Sequence, residues 1–445
     1  DELPMHALLQ VVNSINENPA ANIFYGDEDK MDANGIRFSP HFKPDWNPDL
    51  LYSNNYVSHL GVYNSRILKS ISGFRIGLEG SQDYDLLLRC LPHISDGEII
   101  HVPKILYHWR AIEGSTALQS SEKDYTTKAG LKALEDYFGS LDVDVSVRIG
   151  KVPNTYDVKY ALPAEDPLVS LLIPTRDHIE LIRPCVESIL EKTTYKNYEI
   201  IILDNQSKEP AVVSWLAEIQ KESKVRVLRY EHPFNYSAIN NFGVNHANGN
   251  IIGLINNDIK VISPGWLTEM VMHVSRPDVG CVGAKLYYGN DTIQHAGVIM
   301  GVGGVAGHSH LGFPRDSHGY FARLSLAHSI TAVTAACLLV RKDVFNGVGG
   351  LNEQDLAIAF NDVDLCLKVK LAGYRNIWTP YAELYHYESI SRGSEDTPEK
   401  QARFSKEVDY MLKTWPANID YDSAYSPWLT KERADFSLVD TASFM

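Results

Sequence analysis

Four short apolar runs, Leu168–Ile173, Tyr198–Leu203, Val225–Tyr230 and Asn250–Ile255, constrain the fold of this chain more than any other feature. They are long enough for buried parallel strands. Helical patterns separate them: Leu181, Ile182, Val186, Ile189 and Leu190 follow one face, and Val212–Lys221 and Ser237–His246 supply two more helices. Strands alternating with helices at this spacing predict a doubly wound α/β sheet. Such sheets bind ligands beyond the carboxyl ends of their strands. Polar residues gather at those ends. Ile173 runs into Pro174, Thr175, Arg176 and Asp177; Leu203 runs into Asp204, Asn205, Gln206 and Ser207; Ile255 runs into Asn256, Asn257 and Asp258.

At 445 residues the chain is long enough for two or three domains. A net charge of −15 argues against a nucleic-acid partner, whose phosphates demand clustered Lys and Arg. It leaves room for a phosphate-bearing substrate, because a bound divalent cation can supply positive charge locally. The five cysteines are scattered and form no CxxC pair, which argues against a disulfide framework or structural zinc and for a reducing cytoplasm. The most apolar run, Ile330–Val340, is well short of the ~20 residues a membrane-spanning helix needs and reads as a buried strand. No signal peptide is visible, and residue 1 is Asp, so the sequence reads as starting partway through a longer product.

The stretch 151–167, with Pro153, Pro163 and Pro167, reads as a linker between residues 1–150 and a domain spanning 168–395, followed by a C-terminal helix and tail at 396–445. An internal repeat relates the two halves. Val62-Tyr63 leads through Gly73-Phe74 to Gln82, Asp83, Tyr84 and Asp85; Leu339-Val340 leads through Gly350-Leu351 to Asn361, Asp362, Val363 and Asp364. His108 lies 25 residues beyond Asp83, and His386 lies 24 beyond Asp362. Pro4 before a helix at Ala7–Ile15 matches Pro264 before Leu267–Val274, and that offset puts the counterpart of Asp258 just ahead of Asp1. The first half therefore reads as the later part of a second module whose opening strands are absent.

From Val169 to Gly393 the chain resembles the family 2 glycosyltransferases, most closely the tandem bacterial enzymes that build surface polysaccharides. The resemblance implies a complete GT-A domain preceded by a partial GT-A-like module, the acceptor-side half of one, with its nucleotide-binding strands absent. Four motifs carry it. The strand end Pro174-Thr175-Arg176-Asp177 would lie along the nucleotide, and Asp204 with Asn205 would contact base or ribose. Asn256-Asn257-Asp258 matches the family's DxD motif with its first acid replaced, so Asp258 would hold the cation between the donor's phosphates. Asn361-Asp362-Val363-Asp364 matches the acidic motif before a helix. Asp362 would be the catalytic base that takes the acceptor's proton, while Asp364 reads equally as an N-terminal helix charge. His386 resembles the family's additional metal ligand, which suits manganese. Asn235 and Asn240 would lie under the pyrophosphate and sugar. His295, Gly303, Gly304 and Arg323, with His308 and His310, would form a loop over the acceptor. In the first half Asp83 and His108 match the base and metal positions, and Asp27-Glu28-Asp29 reads as a solvated turn.

The implied reaction is an inverting hexosyl or deoxyhexosyl transfer from a UDP- or dTDP-sugar, with Mg²⁺ or Mn²⁺, onto a glycan or lipid-linked acceptor. The resemblance also places the enzyme in the cytoplasm, at the inner membrane face as a peripheral protein. Three rivals stay open on the sequence: a nucleotidyltransferase, though no glycine-rich loop follows the first strand; a non-catalytic glycan- or nucleotide-binding scaffold; and a hydrolase with paired carboxylates.

Overall fold

The four apolar runs form the parallel half of one mixed sheet. The computed structural model describes residues 1–111, 123–388 and 397–439. In the first half we label β1 (Ile23–Met31), β2 (Gly61–Tyr63), the helix α1 (Gln82–Cys90) and β3 (Ile99–Arg110). The second half supplies β4 (Val169–Thr175), β5 (Tyr198–Asp204), β6 (Val225–Arg229), β7 (Ile251–Ile255), β8 (Ile259–Val261), β9 (Val279–Tyr287), β10 (Ile293–His295) and β11 (Cys337–Arg341). It ends with the helix α2 (Asn361–Leu371) and β12 (Arg375–His386).

The large sheet runs β8-β12-β9-β11-β7-β4-β5-β6, with β10 paired to β9 and His328–Ile330 paired to β12. β7, β4, β5 and β6 are mutually parallel, and β11 joins antiparallel to β7. Every residue of β4, β5 and β7 is buried, as strands covered on both faces must be. Alternate side chains feed two cores. Leu171 and Ile173 pack with Ile182, Val186 and Ile189, whereas Leu172 and Leu203 pack with Ile239, Leu338 and Leu365. The chain leaves β4 toward β5 and β6, then returns to place β7 on the other side of β4. That reversal opens a crevice at the carboxyl ends of β4 and β7, the expected ligand position.

Ile330–Val340 is not a single strand. His328–Ile330 and β11 are separated by 331–336, which crosses between them as a loop of small residues. The loop lies close against the sheet: a Cβ on Gly283 of β9 would meet Cβ of Val333 at 2.5 Å. The stretch read as a linker is also structured. Tyr156–Tyr160 pairs antiparallel with Val145–Ile149, and alternation buries Tyr156 and Val158 in the first-half core. The expected domain end at 395 lies outside the described residues.

The first half repeats part of the second half's strand pairing. β1 is parallel to β3 and antiparallel to β2, just as β9 is parallel to β12 and antiparallel to β11. Asp27, Glu28 and Asp29 lie inside β1 and are buried, which corrects the expectation of a solvated turn. Their charges are met locally: His101 bonds Asp27 at 2.9 Å, Arg37 bonds Asp29 at 2.6 Å, and Lys43 lies 3.7 Å from Glu28. Glu2 bridges His108 antiparallel, as Ile259 pairs with His386, so Asp1 precedes its bridged residue as Asp258 does.

A buried carboxylate ties the halves together. Asp49 accepts hydrogen bonds from Arg276 at 2.7 Å, Arg375 at 3.0 Å and Ser329 at 2.5 Å. Burial alone would raise its pKa, but the two guanidiniums override that and hold it far below the usual carboxylate range.

Candidate active site

At the crevice the strand ends are knitted together by polar contacts. Asn257 donates to Thr175 Oγ1 at 3.1 Å, and the Asn205 N–H donates to the Thr175 carbonyl at 2.8 Å. Asp204 is buried, accepts from the Ser207 N–H at 3.0 Å and pairs with Arg229. Asn205 donates to the carbonyls of Tyr230 and His232 at 3.2 and 2.8 Å, while its own buried Oδ1 has no partner among the described residues. Asp177, in the left-handed region at φ 53°, accepts from the N–H groups of Lys208 and Glu209 at 2.6 and 2.9 Å. The weak desolvation of this carboxyl pushes its pKa up, and those two N–H groups outweigh it and bring the pKa down. Asp177 thus anchors the start of the helix Pro210–Ile219. Arg176 beside it is exposed, and Pro174 is buried within β4.

A polar cleft opens next to these ends. It is lined by Asn256, Gln294, His308, Thr334, Ala335, Asp362, His386 and Glu388, among others. Asp362 is the second residue of α2. Its Oδ2 accepts from the Ala335 N–H at 2.9 Å and its Oδ1 from the Val363 N–H at 2.9 Å, so the 331–336 loop and the helix start fix the carboxylate together. Asp364, two residues on, is buried against Lys368 at 2.9 Å and the Trp415 indole N–H at 2.9 Å. It holds the C-terminal helical segment and takes no place in the cleft.

Asp258 and His386 meet at the far end, Oδ1 to Nε2 3.1 Å, where β8 pairs with β12. His386 Nδ1 lies 2.9 Å from Gln294 Oε1, and the Gln294 amide donates to Glu388 at 2.8 Å. An amide oxygen can only accept, so Nδ1 carries a proton; the Asn256 amide N–H meets Nε2 at 3.1 Å and can only donate, so Nε2 presents its lone pair beside a carboxylate oxygen. Two lone-pair donors that close suit a shared cation, with the ring's tautomer set by its outer partner. Among the described residues no group of three or more His, Cys, Asp or Glu is arranged to hold a metal. Asp258 and His386 therefore fit as two ligands, with oxygens from a bound substrate or water completing the shell.

Residues 170–349 match the profile of the family described as Glycosyl transferase family 2. The second-half module belongs to glycosyltransferase family 2. Its α/β sheet with a crevice at the strand switch is the GT-A arrangement of that family. The whole chain is 51% identical over 440 residues to the uncharacterized protein y4gI of Sinorhizobium fredii, covering 98% of this chain and 48% of the relative. It is 36% identical over 430 residues to the O-antigen biosynthesis protein RfbC of Myxococcus xanthus, covering 96% of this chain and 32% of the relative. The chain thus spans half or less of the length of these curated relatives. Among solved structures, a mannosyltransferase from Pyrobaculum calidifontis, in complex with GDP-Man and Mn²⁺, overlaps 66% of this chain and 74% of its own. That overlap has a TM-score of 0.42 and 16% identity.

Several residues expected in the family 2 site stand elsewhere. Asn235 caps the helix Tyr236–His246 and donates to the Glu353 carbonyl, and Asn240 is buried inside that helix. Gly303 and Gly304 form the turn between Val298–Met300 and Ala306–His308, where Gly303 bonds the Lys431 carbonyl of the C-terminal tail. Arg323 is buried in the turn Tyr320–Ser325, and His310 stacks on Phe436. None of these lines the cleft. His295 lies behind it, bonded to His308. Conversely, Gln294, Glu388 and Ala335 escape sequence reasoning.

Proposed function

We propose that this chain is an inverting glycosyltransferase that moves a hexosyl or deoxyhexosyl group from a nucleotide-diphosphate sugar to a glycan hydroxyl. The observation that carries the reading is that Asp362, Asn256 and His386 face one cleft at the strand switch, with Asp258 against the His386 ring at 3.1 Å. The donor nucleotide, UDP or dTDP, lies along Thr175, Asp204 and Asn205, whose polar groups suit base and ribose. Mg²⁺ or Mn²⁺ between Asp258 and His386 would offset the charge of the departing diphosphate. Asp362 takes the proton from the acceptor hydroxyl as its oxygen attacks the anomeric carbon. The bond from that carbon to the diphosphate breaks on the opposite face, which inverts the centre. Ala335 and Val363 supply N–H groups that hold the carboxylate in place for that step.

The acceptor is a growing surface glycan on a lipid carrier, in keeping with the O-antigen biosynthesis for which the Myxococcus relative is named. A lipid-linked acceptor implies peripheral association at the inner membrane face; among the described residues no helix is long and apolar enough to cross a membrane. We read residues 1–150 as the acceptor-side part of a second such module, on the strength of its repeated strand pairing and of Asp1, Asp83 and His108 at matching places. The test is metal-dependent nucleotide release with a panel of UDP-, dTDP- and GDP-sugars, with Asp362→Asn as control. Release only with metal and only in the unmutated protein is expected. Full activity in the variant would remove Asp362 from the mechanism.

A further inference from the structure

His308 faces the cleft from the strand Ala306–His308, and neither the metal pair nor the base uses it. Its Nδ1 lies 2.8 Å from Nδ1 of His295, a fully buried residue of β10. Two ring nitrogens at that distance need one proton between them, and a third contact decides whose it is. The backbone N–H of Thr334 points at Nε2 of His295 at 3.4 Å. A backbone N–H can only donate, so Nε2 of His295 is the acceptor and its proton sits on Nδ1. That proton is donated to Nδ1 of His308, which leaves His308 protonated at Nε2. Burial pushes both imidazoles below their usual pKa, so both are neutral rings. No hydrogen-bond partner for Nε2 of His308 exists among the described residues.

The neighbouring residue gives the opposite result. Gln294 accepts from Nδ1 of His386 and the Asn256 amide donates to its Nε2 at 3.1 Å, so that ring turns its lone pair toward the site. Adjacent positions of β10 thus set two cleft histidines in complementary states, one to accept a cation and one to donate a hydrogen bond.

We propose that His308 reads a sugar oxygen: its Nε2–H, fixed by His295 and Thr334, donates to a hydroxyl or ring oxygen of a sugar held beside Asp362. This rests on the reading of the cleft as a sugar-transfer site. The shared chemistry is a neutral sugar oxygen, and the transferred sugar and the acceptor are its two sources.

Long-range ¹⁵N NMR of histidine-labelled protein without ligand tests the relay directly. His295 should be in the less common Nδ1–H form and His308 in the Nε2–H form, assigned with the variants His295→Asn and His308→Gln. Calorimetry then tests the role, using UDP-glucose, UDP-N-acetylglucosamine, dTDP-rhamnose and GDP-mannose, each against its nucleoside diphosphate, and the methyl glycosides of the same sugars. His308→Leu should lose about three- to tenfold in affinity, the scale of one neutral hydrogen bond. A loss in the gap between sugar nucleotide and nucleoside diphosphate assigns the contact to the transferred sugar. A loss for the methyl glycosides assigns it to the acceptor. His308→Gln keeps an N–H at the Nε2 place and should stay within about twofold of the unmutated protein. Nε2-protonated His295, or a folded His308→Leu protein that binds every sugar probe as tightly as before, would overturn the proposal while leaving the transferase reading intact. Expected tautomers with no binding of any sugar nucleotide would instead sink the transferase reading, and with it this role for His308.

Discussion

His108 and His386 stand at matching places on β3 and β12, yet their Nδ1 atoms meet different partners. In the first half the partner is the Asp29 carboxylate at 2.5 Å, itself paired with Arg37; in the second it is the neutral Gln294 amide at 2.9 Å. The second residue of the preceding helix also recurs: Asp83 accepts from the Asn55 side chain at 3.0 Å, where Asp362 accepts from the Ala335 backbone at 2.9 Å. Even the helix's interior acid keeps its i,i+4 cation, Asp85 with Arg89 and Asp364 with Lys368. What differs is what each frame presents. In the second half Nε2 of His386 faces Asp258, whereas the side chain of Asp1 is taken up by the Arg110 N–H. The scaffold of a site can thus repeat while its charges are spent on holding the structure.

The comparison breaks most sharply at the two helix-start acids. Asp362→Asn should lower kcat by roughly 10²–10⁴ with little change in KM, because general-base assistance acts in the transition state. Asp83→Asn should leave nucleotide release by this chain unchanged. Equal losses in both variants would mean that the first half takes part in the chemistry.

The next largest effect concerns the joint between the regions. Asp49→Ala removes the carboxylate that Arg276 and Arg375 share, and breaking a buried pair costs about 3–5 kcal/mol. Thermal unfolding should fall accordingly and split into two transitions if the halves then melt separately. Because the folded pKa of Asp49 is depressed, its stabilisation is present in full above the unfolded value of ~4 and is lost as pH falls below it. Melting curves of the unmutated protein should therefore drop toward the variant's as the pH is lowered through that range. A constant difference between them would contradict the assignment.

Replacing the outer partners of the two histidines sharpens the contrast further. Gln294→Leu frees the His386 ring and should raise the Mn²⁺ concentration for half-maximal activity by about 10–100-fold. Chelation should abolish turnover in either protein, and added Mn²⁺ should restore it. Asp29→Leu should leave that metal dependence where it was. A similar shift from both variants would place a working metal site in the first half. The smallest effect expected is at Gly283, where a methyl group would press on Val333 and move the loop carrying Ala335. Gly283→Ala should cost less than about tenfold in kcat while the metal dependence stays unchanged, since the misplacement reaches only the carboxylate's support.

Much of the site was legible because it lies at strand ends, where short-range patterns speak. Thr175, Asp204 and Asn256–Asp258 follow apolar runs whose length and order already imply the crevice. Asp362 and His386 were legible through the repeat. The acids of β1 were misread because a run of three carboxylates is expected to seek water. Only the arrival of His101, Lys43 and Arg37 from other segments lets them be buried. Asn235 and Asn240 show the same ambiguity: an amide that suits a pyrophosphate also caps or braces a helix, as both do here.

The sequence by itself determined the alternation of strands and helices, the polar strand ends and the repeated acid and histidine positions. These depend on local periodicity and on residues close in the chain. Tertiary structure alone decided the partners. It brought Gln294 to His386 across 92 positions, Ala335 to Asp362 across 27, and His295 to His308 across 13. Which nitrogen of an imidazole carries its proton is set by such contacts, because a ring's two nitrogens differ only through what each of them touches.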